Sequence, residues 1–122
     1  MLIVDGNNVI GSRPDGWWRD RAAATRRLVE QLGAFAADRD EAITVVFDGP
    51  RPSALDAPGS VAVIFAERSG RDAADDVIAA LVADAALPSG LTVVTSDAGL
   101  AARVRARGVR VLGSRAFRDR LG

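Results

Sequence analysis

Met1-Leu2-Ile3-Val4-Asp5-Gly6-Asn7-Asn8 is the stretch whose reading decides the fold of this 122-residue chain. A short apolar run ends abruptly in an acid and a turn-rich cluster, the pattern of a buried strand followed by a loop. The pattern returns twice. Ile43-Thr44-Val45-Val46-Phe47 stops at Asp48-Gly49-Pro50, and Leu91-Thr92-Val93-Val94-Thr95 stops at Ser96-Asp97. Residues 61–65 and 109–112 read as two further strands. Between the strands, residues 17–37 carry Ala24, Leu28, Leu32, Phe35 and Ala36 at helical spacing. Residues 72–86 read as a helix with Pro88 and Gly90 beyond its end, residues 98–107 as one stopped by Gly108, and 115–121 as a short last helix. Residues 51–60 and 67–71 read as loops. Continuous apolar strands alternating with helices predict an α/β fold, a parallel sheet with helices on both faces, in a single domain over residues 1–122.

Such sheets place their ligands at the carboxyl ends of the strands, where the winding reverses. Asp5, Asp48 and Asp97 each stand just past a strand end, so fold geometry alone gathers them at one edge. Each also has a plainer explanation. Asp5 suits an ordinary turn after a strand, Asp97 suits the N-cap of the next helix, and Asp48 sits in an ordinary Asp-Gly-Pro turn. Asp72 can cap the helix it opens, with Asp75 as the acid three residues on. At about 100° per residue, Ile78, Leu81, Val82 and Ala85 form that helix's buried stripe. Asp75 lies near the stripe and reaches along the sheet edge, whereas Asp76 lies nearly opposite it. Asp75 is therefore the preferred metal ligand, with Asp76 a more distant contributor. Nothing places Glu67.

The residue types that are missing narrow the chemistry. The chain contains no His, Cys, Lys or Tyr. That excludes Ser-His and Cys-His nucleophilic catalysis, lysine Schiff bases, and zinc sites built on His or Cys. A polar reaction left to carboxylates points to a hard cation, Mg²⁺ or Mn²⁺. Clustered carboxylates raise one another's pKa unless a cation neutralises them. Asn7 and Asn8 add amides that can orient a carboxylate or bind a phosphate oxygen. Net charge is zero, yet it is segregated. Asp72, Asp75, Asp76, Asp84 and Asp97 follow one another with no Arg between. Residues 103–120 then carry seven Arg against Asp119 alone. An acidic focus beside a basic surface suits a metal site that handles a polyanion, though arginines also simply solvate helix faces. Arg13, Arg68 and Arg71, on loops at the carboxyl edge, are the candidate phosphate contacts for such a polyanion, together with the C-terminal set. No apolar stretch approaches the roughly 20 residues of a transmembrane helix, and the start lacks a signal-peptide pattern. The expectation is a cytoplasmic protein with no membrane partner.

Val4-Asp5-Gly6-Asn7-Asn8, Phe47-Asp48-Gly49, Ala74-Asp75-Asp76-Val77-Ile78 and Val94-Thr95-Ser96-Asp97 occur in this order across nearly the whole chain. Together they resemble the NYN domains of the PIN-like nuclease group, closest to the small bacterial YacP-like ribonucleases. The resemblance implies a Rossmann-like sheet of five parallel strands in the order 3-2-1-4-5. It implies Mg²⁺ or Mn²⁺ held by aspartates, and endoribonuclease activity, for some such enzymes near the ribosome. It carries catalytic roles to Asp5, Asn8, Asp75 and Asp97. Two positions depart from the family's acidic pattern, Ala79 and Ala101, and leave a thinner acidic set.

Other classes fit less well. A non-catalytic RNA-binding domain with a degenerate site is the alternative. A phosphotransfer receiver uses a Lys this chain lacks. A haloacid-dehalogenase-like phosphatase wants Asp where Asn7 stands. A protein-interaction module would expose an apolar patch, to which Trp17 and Trp18 could belong.

Overall fold

The computed structural model describes residues 1–66 and 72–121. Five strands, β1 (Leu2–Asp5), β2 (Ile43–Phe47), β3 (Val61–Phe65), β4 (Thr92–Val94) and β5 (Arg110–Leu112), form one sheet in the order β3-β2-β1-β4-β5. Every pairing is parallel. The expected architecture and strand order are therefore present. The winding reverses at β1, which pairs with β2 on one side and β4 on the other, so the crevice at the strand ends opens beside β1.

Alternation along the central strands divides the core in two. Val4, Val45 and Val94 face α1 (Gly6–Ile10), α2 (Arg21–Arg39) and α5 (Ser114–Leu121). Ile3, Val46 and Val93 face α3 (Ala73–Asp84) and α4 (Ala98–Arg105). Period-2 geometry is the reason: neighbouring residues of one strand point to opposite faces. Both faces are covered, which is why these strands read as unbroken apolar runs.

Three local features differ from the sequence expectation. The Gly6-Asn7-Asn8 cluster is the start of α1, not a loop. Turn-forming composition is overridden there by long-range bonds to both asparagine side chains, described below. The helix expected from residue 17 begins at Arg21. Asp20 is its cap, its Oδ1 accepting from Ala23 N at 3.0 Å, and Trp17–Arg19 form a separate 3-10 turn. Asp72 stands at the N-cap of α3 without a side-chain capping bond.

α1 is short and draws its stability from its neighbours. Arg118 on α5 donates from Nη1 to the carbonyls of Val9 at 3.1 Å and Ile10 at 3.0 Å, which satisfies the end of the helix. At its start, Gly6 lies against Phe47. A Cβ there would stand 2.4 Å from Phe47 Cε1. That ring is 1% exposed and stacks on Phe65 with centroids 5.2 Å apart, so it has nowhere to go. Gly6→Ala is expected to destabilise the fold by about 1–3 kcal/mol, read as a lower urea midpoint. An unchanged midpoint would show that the Phe47 ring is free to yield.

Candidate active site

Asp5 ends β1 and is 5% exposed. It occupies the N-cap of α1, but its carboxylate does not cap that helix. Instead Asp5 Oδ2 accepts a 2.8 Å hydrogen bond from Thr95 Oγ1. Strand register explains the encounter: Val4 pairs with Val94, so the next residues along, Asp5 and Thr95, emerge side by side. Thr95 Oγ1 in turn accepts from Asp97 N at 3.1 Å. One hydroxyl thus ties the first-strand acid to the fourth-strand acid.

Burial pushes the Asp5 carboxyl up from 3.8 to about 6; the Thr95 hydroxyl opposes the rise, and the charges of Asp75 and Asp97 add to it. Asp75, in the first turn of α3, is also raised, by burial first and then by the charges of Asp97 and Asp72. The three acids that the sequence singled out therefore converge on one locale and repel one another there. Asp97 is exposed and N-caps α4, its Oδ1 accepting from Leu100 N at 2.9 Å. The plainer explanation offered for Asp97, the cap of the following helix, is what the structure shows, through Oδ1. Asp76, as its helical position predicts, points outward, 44% exposed and paired with Arg103 at 3.1 Å.

The asparagines act as clamps. Asn7 Oδ1 accepts from Asp48 N at 2.8 Å, fixing the end of β2. Asn8 Oδ1 accepts from Ser96 N at 2.8 Å and from Ser114 Oγ at 2.5 Å, fixing the end of β4 and the start of α5. Ser96 Oγ accepts from Ser114 N at 2.9 Å and closes the network. Thr95, Ser96 and Ser114 are the residues that sequence reasoning missed. The hydroxyls flank a strand end, but only the β1–β4 register shows what they meet.

The arginine expectations divide. Arg13 is engaged with Asp119 of α5. Arg118, 11% exposed, is committed to Asp15 at 2.6 Å and to the α1 carbonyls, so it is structural. Arg68, Arg71 and Glu67 lie outside the described residues. Asp48 does not join the three acids; its half-buried side chain lines a separate pocket with Asn7, Trp17 and Arg21.

The donor set is all oxygen, which fits a hard divalent cation. Burial first, and then the charges of neighbouring acids, hold the Asp5 and Asp75 carboxyls up. Yet among the described residues no three acids already stand at coordinating distance.

The raised Asp5 carboxyl has a consequence for stability. As pH rises from 3.8 towards about 6, the unfolded chain gives up its proton first, so the fold loses stability across that window. Below it the carboxyl is neutral in both states and the penalty vanishes. Asp5→Asn is therefore expected to be more stable than wild type at pH 7 in EDTA, by on the order of 2–3 kcal/mol. The gap should close below pH 4. Urea titrations of both proteins at the two pH values decide it, and a less stable variant at pH 7 would contradict the assigned strain.

No helix among the described residues is long and apolar enough to cross a membrane. No curated sequence matches the chain. Among solved structures, Rae1 (YacP) from Bacillus subtilis superposes with a TM-score of 0.79 at 24% identity, covering 99% of this chain and 72% of that one. A variant of the same protein gives a TM-score of 0.77, also at 24% identity, over 98% and 72% of the two chains. That likeness establishes the fold. A family model described as the YacP-like NYN domain matches residues 2–122. With nearly its whole length matched, the chain belongs to the YacP-like NYN domains, a family of PIN-like nucleases.

Proposed function

We propose that this chain is a divalent-metal-dependent endoribonuclease that hydrolyses RNA phosphodiester bonds at Asp5, Asp75 and Asp97. The observation that carries the reading is electrostatic. A buried carboxyl raised to about 6 faces two further acids at the switch point of a parallel sheet. Fold stability alone gives no reason to gather such charges.

Asp5, Asp75 and Asp97 would hold Mg²⁺ or Mn²⁺, with Asp76 further out. A bound ion of this kind supplies charge neutralisation for the phosphodiester and a more acidic water. The protein's own residues do the positioning. Thr95 aims the Asp5 carboxylate through Oδ2. Asn8, with its oxygen spent on Ser96 and Ser114, holds the ends of β1 and β4 at fixed separation and keeps its amide nitrogen for a phosphate oxygen. Arg13, Arg68 and Arg71 are the proposed phosphate contacts, so affinity for RNA should fall with salt.

Purified protein incubated with a structured RNA should cut it in Mn²⁺ or Mg²⁺ and stop in EDTA. Metal should also stabilise the protein by mass action, about 2.7 kcal/mol at a hundredfold excess over the dissociation constant. Undiminished cutting in EDTA would sink the metal mechanism. The second reading, RNA binding without cleavage, is favoured by the absence of three acids at coordinating distance among the described residues. Ala101, 6% exposed inside α4, and Ala79 supply no further acid. RNA binding without cutting in any metal would select it.

A further inference from the structure

Beside the aspartates, on the other side of β1, lies a pocket of about 180 Å³ lined by Asn7, Ile10, Trp17, Arg21, Thr25 and Asp48. Its size suits one planar base. The hydroxyl of Thr25 and the Oδ1 of Asn7 are hydrogen-bonded, but three polar groups there have no hydrogen-bond partner among the described residues. The Asp48 carboxylate has no partner among the described residues, because the bond from Asp48 to Asn7 uses the backbone N–H. Arg21 lies over the Trp17 ring, 5.3 Å from its centroid, and pairs with no carboxylate among the described residues. The Asn7 amide nitrogen is likewise without a partner there. Opposite charges line one small cavity without collapsing on each other.

We propose that this pocket receives a guanine base of the RNA substrate, placed near the scissile phosphate by Asn7 and Asn8, which are adjacent in α1. The inference rests on the nuclease reading for its substrate and on the pocket alone for its base. Guanine is the base whose Watson–Crick edge offers two adjacent donors, N1–H and the 2-amino group, to a carboxylate. Its O6 and N7 acceptors match an arginine. Adenine turns an acceptor, N1, towards that carboxylate. Uracil presents a single donor between two acceptors, and cytosine pairs its amino group with an acceptor. Trp17 supplies the aromatic wall against which unstacked bases rest. Single-stranded or loop RNA is therefore the substrate form, since a paired guanine hides its Watson–Crick edge.

Two measurements on the full chain test this. In EDTA, tryptophan fluorescence is titrated with GMP, IMP and AMP, which share a phosphate and differ in the base. GMP should bind about tenfold or more tightly than AMP, with IMP, lacking the 2-amino group, between them. Asp48→Asn, which keeps the backbone bond to Asn7, should erase the preference, and Arg21→Gln should weaken it. Equal affinities, no response, or a GMP preference that survives both substitutions overturns the pocket assignment. In Mn²⁺, cut sites in a random-sequence RNA are mapped. Guanine should recur at one fixed offset from the cut, and Asp48→Asn should cut with that preference lost. Cutting without a fixed guanine overturns the proposal and leaves the nuclease standing. GMP selectivity in a protein that cuts nothing in metal leaves the pocket standing, removes RNA cleavage, and makes a free guanine nucleotide its occupant.

Discussion

Asp97→Asn is expected to lower RNA cleavage by roughly 10²–10³-fold while leaving the fold intact, because it weakens the hold on the cation proposed to stabilise charge on the phosphodiester. The substitution is structurally mild. Asn caps a helix as well as Asp does, so the bond from Leu100 N can persist. It also removes one of the two charges that push on Asp5, so the metal-free variant should be as stable as wild type or slightly more so. The stabilisation that Mn²⁺ gives the wild type should largely disappear. Asp76→Asn is the control. Its carboxylate is half exposed and paired with Arg103, and it should cut and respond to metal much like the wild type. Cleavage assays and thermal melts of the three proteins, with and without Mn²⁺, separate the outcomes. Equal metal shifts in wild type and Asp97→Asn would falsify the assignment of Asp97 to the metal.

The second large effect belongs to the scaffold. Phe117 is fully buried and meets Phe35 edge-on, with centroids 5.3 Å apart and planes at 70°. Phe117→Ala should cost about 3–5 kcal/mol, the usual range for emptying a buried aromatic site. Denaturant unfolding measures it. The loss should spread to the site, because α5 carries two ties to it: Ser114 Oγ to Asn8 and the Arg118 guanidinium to the end of α1. Well below its midpoint the variant should lose far less cleavage than Asp97→Asn, since its carboxylates remain. A stability change under about 1 kcal/mol would mean that the cavity collapses without penalty.

Much of this was legible in the residues. The apolar runs before Asp5, Asp48 and Asp97 mark buried parallel strands, and the family resemblance supplied the strand order. Helical phase alone separated inward Asp75 from outward Asp76, because 3.6-residue periodicity is a local property. The unreadable parts depend on distant partners. Gly6-Asn7-Asn8 looks like a turn because its helical state is held by Asp48, Ser96 and Ser114, whose bonds to Asn7 and Asn8 span 41, 88 and 106 residues. The role of Thr95 needs the register of two strands. Asp48 looked like a third member of the acid cluster, and only the placement of Trp17 and Arg21 shows that it lines another cavity. The arginines were the hardest to read, since one sequence pattern covers both Arg118, locked inside the structure, and Arg103 on the surface.

The contact between Thr95 and Asp5 spans 90 residues of chain. A β1–β2–β3 unit can pair as soon as it is made, but β1 then has one edge open until β4 arrives. Closing so long a loop is slow, and the strand order commits the chain to a high contact order. Synthesis proceeds from the first residue, so Asp5 exists early without Asp75 and Asp97. The pieces that would bind a cation and cut a polymer are thus kept apart during growth and meet in the final folding step. Refolding monitored by metal-dependent stabilisation should show the site appearing together with the last cooperative phase, with no earlier intermediate competent to bind.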